Sequence, residues 1–193
     1  MNLHRLISIL SAAPLFALYL YLYLIIFVKS FVSPLIFLAY FFLGLIFLTI
    51  LPILPILIDY KKGKVDLFVF ERKKRPKYFS WAIASYLIGA TIFYLLNDAK
   101  LFIFLMCYAT VTTSIALLTY ISKVSVHTSG IAGPLTYMVM IDNPLWIISY
   151  ILVIIVGYSR IKERAHSFME TILGAIDSIL VTYITVTIST YLL

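Results

Sequence analysis

Long apolar runs separated by short polar breaks set the pattern of this chain. The runs cover residues 6–28, 31–58, 81–96, 101–121, 124–141, 144–158 and 169–192. Most are long enough to cross a hydrocarbon core roughly 30 Å thick, which takes about 20 helical residues. The breaks fall where turn formers or charges would be costly in lipid: Lys29-Ser30, segment 59–80, Asn97-Asp98, Ser122-Lys123, Asp142-Asn143-Pro144 and segment 159–166. The pattern therefore predicts seven crossings, the sixth of them short for a full one. Segment 59–80, DYKKGKVDLFVFERKKRPKYFS, is the only long polar connection. It combines a basic run with a short apolar patch, Leu67-Phe68-Val69-Phe70, and is expected to lie along the membrane surface. Without an internal repeat or a low-complexity linker, residues 1–193 read as a single membrane domain.

Composition points the same way. The chain is 63% hydrophobic and only 12% charged, about half the charged fraction of a soluble domain, and its mean hydropathy is +1.07. An ordinary soluble domain is excluded, and the expected fold is an all-α, polytopic membrane helix bundle. The first run is longer than a signal-peptide core and lacks a convincing small-residue cleavage site, so it is read as a first membrane helix. Cys107 is the only cysteine, which rules out an internal disulfide and a thiolate-rich metal site.

Charge adds an orientation. With seven crossings, thirteen of the fifteen Lys and Arg residues fall on the face that receives the N-terminus, and only Lys29 and Lys100 on the other. Nine against two remain when Arg72, Arg75, Lys123 and Arg160 are set aside as candidate anion ligands. The positive-inside rule then places the first face in the cytoplasm and the chain in the cell membrane as a multi-pass protein.

The same count brings three polar clusters to one face, because 72–75, 123–127 and 159–166 are separated by two crossings each. This requires Asp142-Asn143-Pro144 to be a true break. In the third cluster, His166 and Glu170 are four apart at the expected start of the last helix, on one face. Glu170 is then able to accept the proton of one ring nitrogen of His166 and leave the other lone pair free, as a nucleophile or base requires. Arg160, on the connection leading into that helix, offers a bidentate donor for phosphate oxygens, and Ser159 a hydroxyl. In the second cluster, Lys123-Val-Ser125-Val-His127 opens a helix, whose N-terminus attracts anions. Ser125 and Lys123 are placed to bond a phosphate there, and His127 is a candidate acid for a leaving oxygen.

These residues resemble the type 2 phosphatidic acid phosphatase (PAP2) family of integral-membrane enzymes. The family's third signature runs Ser-Arg, five residues, His, three residues, Asp. Ser159-Arg160, His166 and Glu170 match it with Glu in place of Asp, followed by Thr171-Ile-Leu-Gly174. Its second signature, Pro-Ser-Gly-His, is represented by Ser125-Val126-His127, and Lys123-Val-Ser125-Val-His127 is similar to a Lys-Ile-Ser-x-His form found in some members. Its first signature keeps Arg75-Pro76 but has Phe68 where the lysine belongs, and Glu71-Arg72-Lys-Lys-Arg75 resembles an Arg-x-x-Arg variant in which Arg72 takes the lysine's role. The resemblance spans about 66–174. It implies metal-free phosphoryl transfer through a phosphohistidine. His166 would attack phosphorus and Glu170 orient it. His127 would protonate the leaving oxygen and then activate water, while Arg72, Arg75, Lys123, Ser125 and Arg160 hold the phosphate. The expected partners are the bilayer and a lipid substrate, with no cofactor, no metal and no nucleic acid.

Plainer readings stand beside these. His166 with Glu170 reads also as a pair capping the last helix, His127 as a satisfied polar group, and the run 61–77 as a topology determinant that attracts anionic headgroups. Asp177 reads as a structural partner for hydroxyls inside the bundle. Isoprenoid or polyprenyl (di)phosphates are favoured as substrates, because a compact core without a soluble domain suits a single-chain lipid. Phosphatidate or another phospholipid is the alternative, and a noncatalytic lipid- or anion-binding scaffold or transporter is the competing class.

Overall fold

The computed structural model describes residues 3–193, and every regular element among them is helical. A short helix α1 (Leu3–Leu10) is followed by α2 (Ala13–Tyr23), which continues through wider π-type turns to Val28. The two are bent by 57° at Ser11-Ala12, where Pro14 begins the second helix without needing an amide partner. Helix α3 (Pro34–Gly44) starts on a Ser33 cap with Pro34 at its first position. It runs through π-type turns at Leu45–Ile50 into α4 (Leu51–Lys61), which carries Pro52 and Pro55.

Helix α5 (Arg75–Leu95) starts about six residues before the expected run. Pro76 sits in its first turn, where its missing amide hydrogen is no loss. Helices α6 (Ala99–Leu118), α7 (Val126–Ile141), α8 (Ile151–Lys162, entered through a 3₁₀ segment at Pro144–Tyr150) and α9 (Phe168–Leu192) complete the chain.

Five of these segments are long and apolar enough to cross a membrane, and the bent α1–α2 pair makes a sixth. All seven expected runs are helical, but α7 has only 16 residues, roughly 24 Å at 1.5 Å per residue. It lies at the centre instead of meeting lipid, and every residue from 127 to 138 is buried. Helices α2, α6, α8 and α9 pack around it. Small residues allow the close approach: a side chain at Gly130 would collide with Ala13, and one at Gly133 would press on Thr182. The outer surface carries exposed apolar side chains such as Ile88, Leu95, Ile154, Leu180 and Ile184. The chain is a multi-pass membrane protein.

The break at Asp142-Asn143-Pro144 is real: Asn143 caps the following turn by accepting from the Leu145 amide at 2.9 Å. Connections 62–74, 119–125 and 163–167 therefore meet at one end of the bundle, joined by Arg72 to the Ile121 carbonyl (2.9 Å) and Arg75 to the Val124 carbonyl (3.0 Å). Two expectations are corrected here. Ser159 and Arg160 belong to the last turn of α8, not to a connection, because that helix runs on to Lys162. Segment 59–80 is divided between α4, a loop and α5; of its apolar patch Val69 is buried and Phe68 lines the cavity, while Leu67 and Phe70 stay exposed.

Candidate functional site

His166 is set by the way α9 begins. Ser167, not His166, caps the helix: its hydroxyl accepts from the Glu170 amide at 3.3 Å while the Glu170 carboxylate accepts from the Ser167 amide at 2.9 Å, a capping box. His166 thus lies just ahead of the helix. Its Nδ1 is 2.9 Å from the Lys123 carbonyl oxygen and 3.5 Å from the Glu170 carboxylate. A carbonyl only accepts, so Nδ1 carries the proton and the Nε2 lone pair is free. Glu170 stands behind this bond instead of making the shorter contact, since the capping box already engages its carboxylate. Burial, followed by the Arg75 charge, pushes the His166 imidazole down to about 3, and it is neutral at neutral pH.

Glu170 and Ser125 also tie two signatures together through the main chain, as the Ser125 amide donates to the Glu170 carbonyl at 3.1 Å. That approach depends on Gly174, where a β-carbon would stand 2.6 Å from the Ser125 carbonyl oxygen. The Ser125 hydroxyl itself caps α7, accepting from the Thr128 amide at 3.4 Å.

His127 follows in the first turn of α7. Its Nε2 lies 3.1 Å from the carbonyl oxygen of Ser8, on α1, so Nε2 donates and Nδ1 is left unprotonated in the neutral ring. The Phe68 ring meets it edge-on with centroids 5.4 Å apart.

Arg75 opens α5. Its Nε donates to the Val69 carbonyl (2.9 Å) and its Nη1 to the Val124 carbonyl (3.0 Å), and no carboxylate pairs with it among the described residues. Arg160 donates from Nη1 to Glu163 at 2.7 Å, its guanidinium carbon lies 5.0 Å from the Phe68 ring centre, and its buried Nε has no hydrogen-bond partner among the described residues.

His127, His166, Arg75 and Arg160 are each less than one-tenth exposed. All four line a single cavity of about 400 Å³. Away from these groups the lining is mostly apolar, with Pro52 and Ile56 of α4, Phe104 and Val111 of α6 and Pro134 of α7, interrupted by Thr112, Ser129 and Thr182. Its volume lies within the range of roughly 300–1,000 Å³ typical of small-ligand sites.

Three expected ligands do not line it. Arg72 reaches across to the Ile121 carbonyl from the 3₁₀ turn before α5, and ties two connections together. Lys123 contributes its carbonyl to His166, while its ammonium stands 5.2 Å from the Phe70 ring centre. Partial burial, and then Arg75, lower its pKa. Ser125 is engaged as the α7 cap. The lining residue from the first signature besides Arg75 is Phe68, at the position of the family's lysine.

Ser8, Glu163 and Phe68 had no role assigned from the sequence. Only Phe68 carried a signal, as part of an apolar patch within a basic segment. Its loop is held by Asp66, whose carboxylate accepts from the Phe68 and Phe70 amides, both at 2.9 Å. Val69 between them has φ of 47°, a left-handed conformation that a β-branched residue rarely adopts. The Arg75 bond to the Val69 carbonyl anchors that turn against the site. In comparisons with protein-family models, curated proteins and solved structures, the chain matched none of them.

Proposed function

We propose that this membrane protein is a lipid phosphatase acting on isoprenoid or polyprenyl (di)phosphates through a phosphohistidine, without a metal ion. One observation carries the reading: two imidazoles and two buried guanidinium groups line one part of a cavity whose remaining walls are mostly apolar. An amphiphile with an anionic head and one hydrocarbon tail matches that division. The lone Nε donor of Arg160 is aimed at no protein acceptor, and a phosphate oxygen supplies one.

The chemistry follows from the tautomers. The Nε2 lone pair of His166 attacks the terminal phosphorus and forms a P–N bond as the bond to the leaving oxygen breaks, the bridging oxygen of a diphosphate or the lipid oxygen of a monophosphate. His127 takes up a proton at Nδ1 when the negatively charged phosphate head enters beside it, and gives that proton to the leaving oxygen. The neutral His127 then takes a proton from water, whose oxygen attacks the phosphohistidine and releases phosphate. Arg75 and Arg160 stabilise charge on the equatorial oxygens, which is most of what phosphoryl transfer asks of a protein. The excess of cations at this end of the bundle supports a cell-membrane protein with the site facing the cytoplasm.

The test is phosphate release by the purified protein from prenyl diphosphate, prenyl monophosphate and phosphatidate in chelator. The expected order is prenyl substrates ahead of phosphatidate, and His166→Ala is expected to lower turnover at least about a thousandfold. Release from none of them, with binding retained, would identify a noncatalytic lipid-binding protein.

A further inference from the structure

The first helix carries none of the signature residues, yet it bonds to two of the three clusters, those around His127 and Arg160. One side of α1 turns His4 and Ser8 inward, while Leu3, Leu6 and Leu10 are exposed on the other. Such a helix suits the membrane interface, with its apolar side toward lipid. Here its polar side faces the cluster. The Ser159 hydroxyl donates to the His4 carbonyl at 3.1 Å. The Ser8 carbonyl accepts from Nε2 of His127 at 3.1 Å. The Ser8 hydroxyl, fully buried, donates to Oε2 of Glu163 at 2.6 Å, and the same oxygen accepts from Arg160 at 2.7 Å.

We propose that Ser8 is a positioning residue: through Glu163 it holds the Arg160 guanidinium in one orientation on the cavity wall, where the phosphate is read to bind. The inference rests on the lipid-phosphate reading of the site. Its physical core is a shared acceptor. Glu163 alone is free to follow Arg160 through several rotamers, whereas a second hydrogen bond, from a helix seated on the site, fixes the carboxylate. Arg160 is then aimed before the anion arrives, and that preorganisation lowers the cost of binding. Because the Ser8 carbonyl also fixes the His127 tautomer, the seat of α1 couples phosphate binding to proton transfer.

The experiment measures KM and kcat for prenyl diphosphate, and inhibition by orthophosphate, in five proteins: wild type, Ser8→Ala, Ser8→Thr, Glu163→Gln and the Ser8→Ala, Glu163→Gln double variant. Ser8→Ala is expected to raise KM and the orthophosphate inhibition constant about tenfold, more than it lowers kcat, as loss of one hydrogen bond to a charged group of roughly 1.4 kcal/mol implies. Ser8→Thr is expected to restore most of the loss. In the Glu163→Gln background the Ser8 substitution is expected to add little, because the shared acceptor is already weakened. Phosphate binding unchanged in Ser8→Ala, or an undiminished Ser8 effect without the Glu163 carboxylate, overturns the inference while leaving the phosphatase reading standing. A wild-type protein that neither releases phosphate from any lipid nor binds orthophosphate overturns both.

Discussion

At the end of the bundle remote from the cavity, Lys29 meets Asp98 at 2.6 Å, and Asp98 also caps α6 by accepting from the Leu101 amide at 3.2 Å. Asp142 beside it accepts from the Trp146 indole at 2.7 Å. At the cavity end, Arg75 bonds only to main-chain carbonyls, Arg160 shares one carboxylate with Ser8, and the Lys123 ammonium faces an aromatic ring. Both ends have charge to place at a helix boundary. The remote end pairs Lys29 with Asp98; the cavity end also pairs Lys77 with Asp59 and Arg160 with Glu163, but leaves Arg75 among neutral acceptors. An ion pair closes off both partners, whereas a guanidinium held by carbonyls keeps its charge available to a ligand. On the proposed reading, the charge left open at Arg75 is what separates a binding boundary from a structural one.

Arg75 breaks the comparison most sharply. Arg75→Lys keeps the charge but cannot span the Val69 and Val124 carbonyls while presenting a fork to an anion. The expected result is about a hundredfold fall in kcat/KM for prenyl diphosphate, the size of losing roughly 2.7 kcal/mol of charged hydrogen bonding. A loss of less than about threefold would reduce Arg75 to a strut between two connections and remove the contrast between the ends.

Asp98 supplies the reciprocal test. Asp98→Ala removes a helix cap and leaves Lys29 without its carboxylate, so the unfolding midpoint in detergent should fall, with a cost of about 1–2 kcal/mol. Turnover per folded molecule should hold at the wild-type value, because no Asp98 contact reaches the cavity lining. Lost turnover in a still-folded Asp98→Ala protein would show that the two ends are coupled and that charge pairing does not mark function.

How far the two ends were legible in the sequence follows from what kind of atom does the work. The remote end could be read: Asn97-Asp98 and Asp142-Asn143-Pro144 are turn formers whose side chains cap, and side-chain caps leave a residue signal. At the cavity end the signature spacings brought His127, His166, Arg75 and Arg160 together. The holders of those groups were hidden. The proton acceptors of both imidazoles are the carbonyls of Lys123 and Ser8, and a carbonyl is present at every residue. The continuation of α8 through Arg160 was missed because a cation reads as a break in an apolar run. Glu163, three residues on, and the Phe68 ring make that position tolerable inside a helix. Likewise α1 looked like part of one long first span, since its bend comes from Pro14 and its inward polar side has only His4 and Ser8 to mark it.

The smallest expected effect concerns protons. His166 is pushed down to about 3, chiefly by burial and next by Arg75, with Arg160 and Lys123 acting in the same direction and the bond to the Lys123 carbonyl opposing them. An unfolded chain takes up that proton near the ordinary histidine value of about 6.5, whereas the folded chain does not until about pH 3. In this window the unfolded state binds more protons, so stability falls as pH drops from about 6.5 toward 3, and at pH 7 and above the group contributes nothing. Between pH 7 and pH 6 the loss is on the order of 0.5–1 kcal/mol. His166→Gln, which cannot titrate, should lose less stability than wild type over that step when unfolding is followed in the same detergent. Replacing Arg75 by Met should narrow the gap by raising the imidazole's pKa. The neutral ring also means that the acid limb of kcat/KM above pH 4 belongs to another group. An acid limb that moves when Arg75 is replaced would assign it to a group in the field of Arg75, His166 or His127. That result would mean the cavity end holds its charges closer to ordinary solvent than the burial of these four side chains implies.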